Sequence, residues 1–157
     1  MYDIEITNAT IVDGLGSEAY EGNIYVKDGE ISTITYKETF EASVSINASG
    51  KIVTPGFIDL HTHSDISFLL DSTAQSKVRQ GVTLELIGNC GLSLCAPLIG
   101  DARDMFDTWV SDHTDSYDPT WTDYAGYIEA SEKAKATVNI AFQIGHASLR
   151  LLSLIHI

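Results

Sequence analysis

The chain has 157 residues, 44% apolar, 20% charged and 9% aromatic. That is enough to bury a core and too short for two complete domains of ordinary size. Nine Lys+Arg against 22 Asp+Glu give a net charge of −13, which argues against a nucleic-acid partner or an anionic membrane surface. The start Met1-Tyr2-Asp3-Ile4-Glu5 carries no basic, apolar leader, and no stretch reaches the roughly 18 apolar residues of a membrane helix, so a cytoplasmic location is expected.

Residues 1–54 read as a small, incomplete β-sandwich-like module of short strands and tight turns. Ile4 and Ile6 alternate with polar neighbours, and Asn23 to Lys27 leads through Asp28-Gly29 into Glu30 to Tyr36, a hairpin signal because such a turn needs positive φ. A second turn is expected at Ala48-Ser49-Gly50. After Pro55-Gly56, apolar runs alternate with helical segments. Phe57 to Leu60 is a buried-strand candidate, and Asp71 to Gln80 is expected to be helical from the Ala74 and Val78 spacing, with Gly81 capping it. Val82 to Ile87 is the next strand. Residues 91–119 look like an Asp-rich insertion, read as a solvated loop or, less readily, as part of a lid, in which Met105-Phe106 with Trp109-Val110 could make an amphipathic turn or two. Thr120-Trp121-Thr122-Asp123 fits a helix-opening capping box ahead of Tyr124, Tyr127 and Ile128. Val138 to Ile144 is a third strand before Gly145-His146.

This order predicts an α/β fold with parallel strands: a small N-terminal β module, then the first three βα units of a truncated (β/α)8 barrel over residues 55–151. A complete barrel takes roughly 250 residues, so the chain reads as an N-terminal fragment. Its last six residues, 152–157 (Leu-Ser-Leu-Ile-His-Ile), match an in-frame translation of a transposase mosaic-end adapter (CTG TCT CTT ATA CAC ATC) and are expected to be non-native. The alternative for them is an ordinary apolar strand or helix.

Asp59-Leu60-His61-Thr62-His63-Ser64-Asp65 carries the sharpest chemistry. Residues two apart in an extended chain point the same way, so His61 and His63 could offer imidazoles to one metal ion at a strand's C-terminal end, where βα barrels build their sites. Asp59 shares their parity, as an orienting carboxylate or as a buried or capping one. Gly88-Asn89-Cys90-Gly91 ends the next strand. Its glycines allow a sharp turn that brings Cys90, either an inert cysteine or a soft ligand, one βα unit from the histidines. Cys95 reads as structural, and no disulfide pattern is present.

Together these segments resemble the amidohydrolase superfamily and, within it, the N-acyl-D-amino-acid deacylase (D-aminoacylase) family. The wider resemblance lies in Thr54-Pro55-Gly56-Phe57-Ile58-Asp59-Leu60-His61-Thr62-His63-Ser64-Asp65. The narrower one lies in Gln80-Gly81-Val82-Thr83 to Gly88-Asn89-Cys90-Gly91, and in Val138-Asn139-Ile140-Ala141 to Gly145-His146 and Leu149-Arg150. It implies a metal-dependent hydrolase of linear amides that uses Zn2+ and cleaves a small-molecule N-acyl-D-amino acid to a carboxylate and a D-amino acid. It implies that His61, His63 and Cys90 are metal ligands, with two further histidines and a general acid/base Asp expected downstream; neither His113, in the insertion, nor His156, in the tail, is assigned to those roles. His146 matches the family's Gly-His element and is expected either near the substrate pocket or as a neutral histidine bonded to a backbone group. Arg150 is either a contact to a substrate carboxylate or a solvated arginine. The 157 residues alone are expected to be inactive. The alternatives are a cyclic amidase of the hydantoinase or dihydroorotase type, which Cys90 disfavours, and a non-catalytic fragment.

Overall fold

A computed structural model describes residues 1–95, 99–111, 119 and 121–152. The chain divides into two compact units, Met1–Pro55 and Gly56–Ile157.

In the first unit a long strand, β1 (Tyr2–Ile11), is the centre of a five-stranded sheet. β2 (Tyr20–Lys27) and β3 (Glu30–Thr35) extend it on one side, and β4 (Ala42–Asn47) and β5 (Ile52–Val53) lie on the other. β2 and β3 form the hairpin expected around Asp28-Gly29, whose residues both take left-handed φ, 53° and 81°. β4 and β5 run parallel to β1, a pairing that tight turns alone do not produce. A bulge between Ile6 and Ala9 resets the alternation of β1, and Ala9 and Ile11 then bury against Ile24 and Ala48. The side chain of Asn23 accepts the Asn8 N–H at the bulge, 3.0 Å away.

The second unit carries three parallel strands in chain order, β6 (Phe57–Asp59), β7 (Val82–Ile87) and β8 (Asn139–Phe142). Between β6 and β7 lie two single turns, α1 (Ser67–Leu70) and α2 (Gln75–Val78), where one helix over residues 71–80 was expected. The local cause is Asp71, which accepts the Thr73 N–H at 3.0 Å and its hydroxyl at 2.6 Å. That side-chain turn competes with helix, and Ala74 follows in a left-handed conformation.

Between β7 and β8 lie α3 (Asp101–Ser111) and α4 (Tyr124–Ala134). The first corrects the expectation of a solvated insertion. Phe106 and Val110, one turn apart, are both buried, acidic residues open the helix where its dipole favours them, and Arg103 bridges Asp107 at 2.8 Å. Residues 112–118, with His113, lie outside the described residues. α4 is capped by Asp123, which accepts the Gly126 N–H at 2.8 Å; Thr120 of the expected capping box lies outside the described residues. α5 (His146–Leu152) closes the description, and residues 153–157, including His156, lie outside it.

The core of this unit gathers Ile66, Phe68, Ile87, Leu94, Phe106, Val110, Trp121 and Tyr127. The rings of Phe106 and Trp121 meet edge to face at 5.8 Å, a favoured aromatic geometry. Both polar tips are satisfied: Trp121 donates to the Leu94 carbonyl at 3.1 Å, and the Tyr127 hydroxyl donates to the Asp65 carbonyl at 2.7 Å. These contacts tie α4 to the loops that follow β6 and β7. Among the described residues no helix is long and apolar enough to cross a membrane.

Candidate metal centre

β6 ends at Asp59, and the chain bends before the first histidine. The Asp59 carboxylate accepts the His61 backbone N–H at 3.2 Å and forms an ion pair with Lys77 at 2.7 Å. Lys77, foremost, holds the Asp59 carboxyl below the usual carboxylate range. Asp59 therefore holds the main chain, not the ring, of the first histidine. His61 and His63 are exposed, with ring centroids 5.7 Å apart and planes at 63°.

Cys90 arrives through the sharp turn that its flanking glycines allow. β7 ends at Ile87, Gly88 turns left-handed at φ 81°, and Cys90 sits left-handed at φ 55° within a 3-10 turn over Asn89–Gly91. Gly88 is obligatory on a second count, because a Cβ there would collide with the Gln143 carbonyl after β8. The turn carries the thiol to the histidines: His61 Nε2 and Cys90 Sγ are 3.2 Å apart. One donor atom from each of His61, His63 and Cys90 lies within 4.8 Å of the others.

This spacing suits one ion. Zinc bonds of about 2.3 Å to sulfur and 2.0–2.1 Å to nitrogen place tetrahedral ligands roughly 3–4 Å apart. Two imidazoles and a thiolate form a borderline-to-soft set of the kind that suits zinc or copper. All three side chains are exposed, so the cluster is approachable from outside.

Five polar residues to which the sequence assigned no role, Thr62, Asp65, Lys77, Glu85 and Asn89, lie around these three side chains or the segments that carry them. Thr62 lies buried between the two exposed histidines. Its hydroxyl accepts from Lys77 at 3.0 Å, and its carbonyl accepts from the Asn89 side chain at 3.2 Å. Lys77 also approaches the buried Glu85 at 3.7 Å. Asp65 is fully buried, and neither carboxylate oxygen has a hydrogen bond of ordinary geometry. Burial raises its pKa, an effect partly opposed by the nearby backbone N–H groups of Gly88 and Leu94. Asn89 was visible beside Cys90, whereas Lys77, distant in sequence, carried no signal.

His146 opens α5 and is exposed; it does not belong to the three-donor group. The preceding Gly145 packs so closely on the Gly91 carbonyl that a Cβ would not fit, which sets the start of α5 against the Cys90 turn. Ser93 locks that contact, accepting the Ser148 hydroxyl at 3.1 Å through its carbonyl and the Gly145 N–H at 2.8 Å through its hydroxyl. Cys95 is fully buried, its thiol donating to the Gln143 carbonyl at 2.8 Å. Arg150 is exposed in the last turn of α5.

Comparison with known proteins agrees with this architecture. A family model described as "Amidohydrolase family" matches residues 45–154. The N-acyl-D-glutamate deacylase of Alcaligenes xylosoxydans xylosoxydans is 33% identical over 153 residues, covering 97% of this chain and 30% of that protein. The D-aminoacylase of the same organism is 34% identical over 149 residues, covering 95% and 30%. A crystal structure of N-acyl-D-glutamate deacylase from Bordetella bronchiseptica, complexed with zinc and a phosphonate inhibitor, superposes with a TM-score of 0.80 at 35% identity, covering 96% of this chain and 31% of that one. The chain thus spans about a third of the length of these relatives.

Proposed function

Because the chain belongs to the amidohydrolase family, we propose that His61, His63 and Cys90 hold a zinc ion in a protein that hydrolyses N-acyl-D-amino acids to a carboxylate and a free D-amino acid. The observation that carries this reading is the meeting of the Cys90 thiol with two imidazoles from the neighbouring strand end, all within 4.8 Å. The named activities of the two Alcaligenes relatives and of the Bordetella enzyme support the same substrate class.

A zinc ion held by His61, His63 and Cys90 would supply Lewis acidity toward an amide carbonyl and would lower the pKa of water. The chain's own residues supply placement. Asp59 fixes the main chain at His61, and the Gly88 turn delivers Cys90 to the same point. We place His146, at the start of α5 and beside the Cys90 turn, at the edge of the site, where it contacts substrate. The proton delivered to the leaving amine comes, in this reading, from an Asp outside this chain.

The test is release of free amine from N-acetyl-D-amino acids and their L-enantiomers, alongside ring opening of a hydantoin to its N-carbamoyl amino acid, by the zinc-loaded full-length protein. The D-amides should be cleaved, the L-amides much more slowly, and His61→Ala should abolish turnover. Hydantoin opening with the linear amides untouched would replace this reading by a cyclic amidase.

A further inference from the structure

The two histidines sit beyond β6, where no strand ladder fixes the backbone, and yet the residue between them is buried and bonded at both ends. Resting on the reading that His61, His63 and Cys90 bind metal, we propose that Thr62 is the positioning residue of this centre, clamped by Lys77 on its side chain and by Asn89 on its carbonyl. Thr62 is only 8% exposed, while both flanking histidines are exposed.

The Lys77 ammonium has three protons to give and nothing to accept. It donates to Asp59 at 2.7 Å and to the Thr62 hydroxyl at 3.0 Å, and it stands 3.7 Å from Glu85 on β7. The Thr62 hydroxyl also meets the Ser64 hydroxyl at 2.8 Å. The Asn89 amide spends both protons on a second bridge, to the Thr62 carbonyl at 3.2 Å and to the Leu86 carbonyl at 2.7 Å.

Asn89 immediately precedes Cys90, so this bridge ties the thiolate's turn directly to the peptide joining the two imidazole residues. Lys77 ties the Thr62 side chain to Asp59 on β6 and faces Glu85 on β7. Neither residue offers a metal ligand, and their common target is Thr62. The arrangement fixes the separation of the histidine loop from the cysteine turn before metal arrives, which removes an ordering cost from binding.

Lys77→Met is a poor test, since it strands the buried Glu85 carboxylate without its counter-charge. Thr62→Val removes the hydroxyl while keeping the shape and leaving Lys77 paired with Asp59, and Thr62→Ser restores the hydroxyl. The measurements on the full-length protein are zinc affinity by chelator competition, the thiolate-to-metal charge-transfer band of the cobalt(II)-loaded protein, and the melting temperature without metal.

Thr62→Val should bind zinc about 10–100-fold more weakly, the range typical of lost outer partners of metal ligands. Its charge-transfer band should shift, while Thr62→Ser stays near wild type and both variants melt together without metal. Equal affinity in wild type and Thr62→Val overturns the inference alone, as does a loss of affinity matched by unfolding of the metal-free variant. A wild-type protein that binds neither metal overturns the ligand assignment and this inference with it.

Discussion

Cys90 and Cys95 share one loop and have opposite surroundings. Cys90 is exposed beside His61, whereas Cys95 is fully buried with its thiol on the Gln143 carbonyl, and burial pushes that thiol's pKa up. A thiol reagent should therefore label Cys90 and spare Cys95 in the folded, metal-free protein, and zinc should protect Cys90; mass spectrometry of the peptides checks both. Because the folded Cys95 pKa lies above its unfolded value, its contribution to stability is complete below the ordinary thiol range and declines as pH rises through the folded value. Melting temperatures from neutral to alkaline pH should fall more steeply for wild type than for Cys95→Ala, and parallel slopes would contradict this. The histidine pair and the glycine-flanked cysteine stood out in the sequence because their spacing is local. Lys77 and Glu85 did not, since their partners belong to other segments and nothing in a linear pattern pairs Lys77 with Asp59, 18 positions away.

Helices were legible only where packing and propensity agreed. The apolar pairs that bury α3 were visible, yet the abundance of aspartates made the segment read as a solvated loop; Asp101, Asp104 and Asp107 lie exposed on a helix whose buried residues are Phe106 and Val110. Asp71 to Gln80 failed the other way, because the Asp71 side-chain turn defeats a favourable apolar spacing. If α3 is a structural element, Phe106→Ala should cost about 3–5 kcal/mol, as large-to-small changes in a packed core do, while a change at exposed Asp107 should stay within about 0.5 kcal/mol. Denaturant titration separates these cases, and equal, small effects at both positions would return the segment to the loop expected from its composition.

At the scale of the whole molecule, the alternation of apolar runs with helical segments was sufficient for the parallel order β6-β7-β8, because each βα unit lays its strand beside the preceding one. The first unit was less legible. Its hairpin followed from Asp28-Gly29, but the parallel return of β4 and β5 to β1 depends on long-range pairing that no turn residue announces. Strand order matters to the chemistry because it makes β6 and β7 neighbours, and so brings the His61–His63 loop and the Cys90 turn to one end of the sheet. X-ray absorption at the zinc edge of the loaded full-length protein examines that meeting directly. Wild type should show one sulfur neighbour at about 2.3 Å with nitrogen or oxygen neighbours at about 2.0–2.1 Å, and Cys90→Ser should lose the sulfur shell while keeping its fold. A zinc shell without sulfur in wild type, or one unchanged by Cys90→Ser, would contradict the three-residue centre.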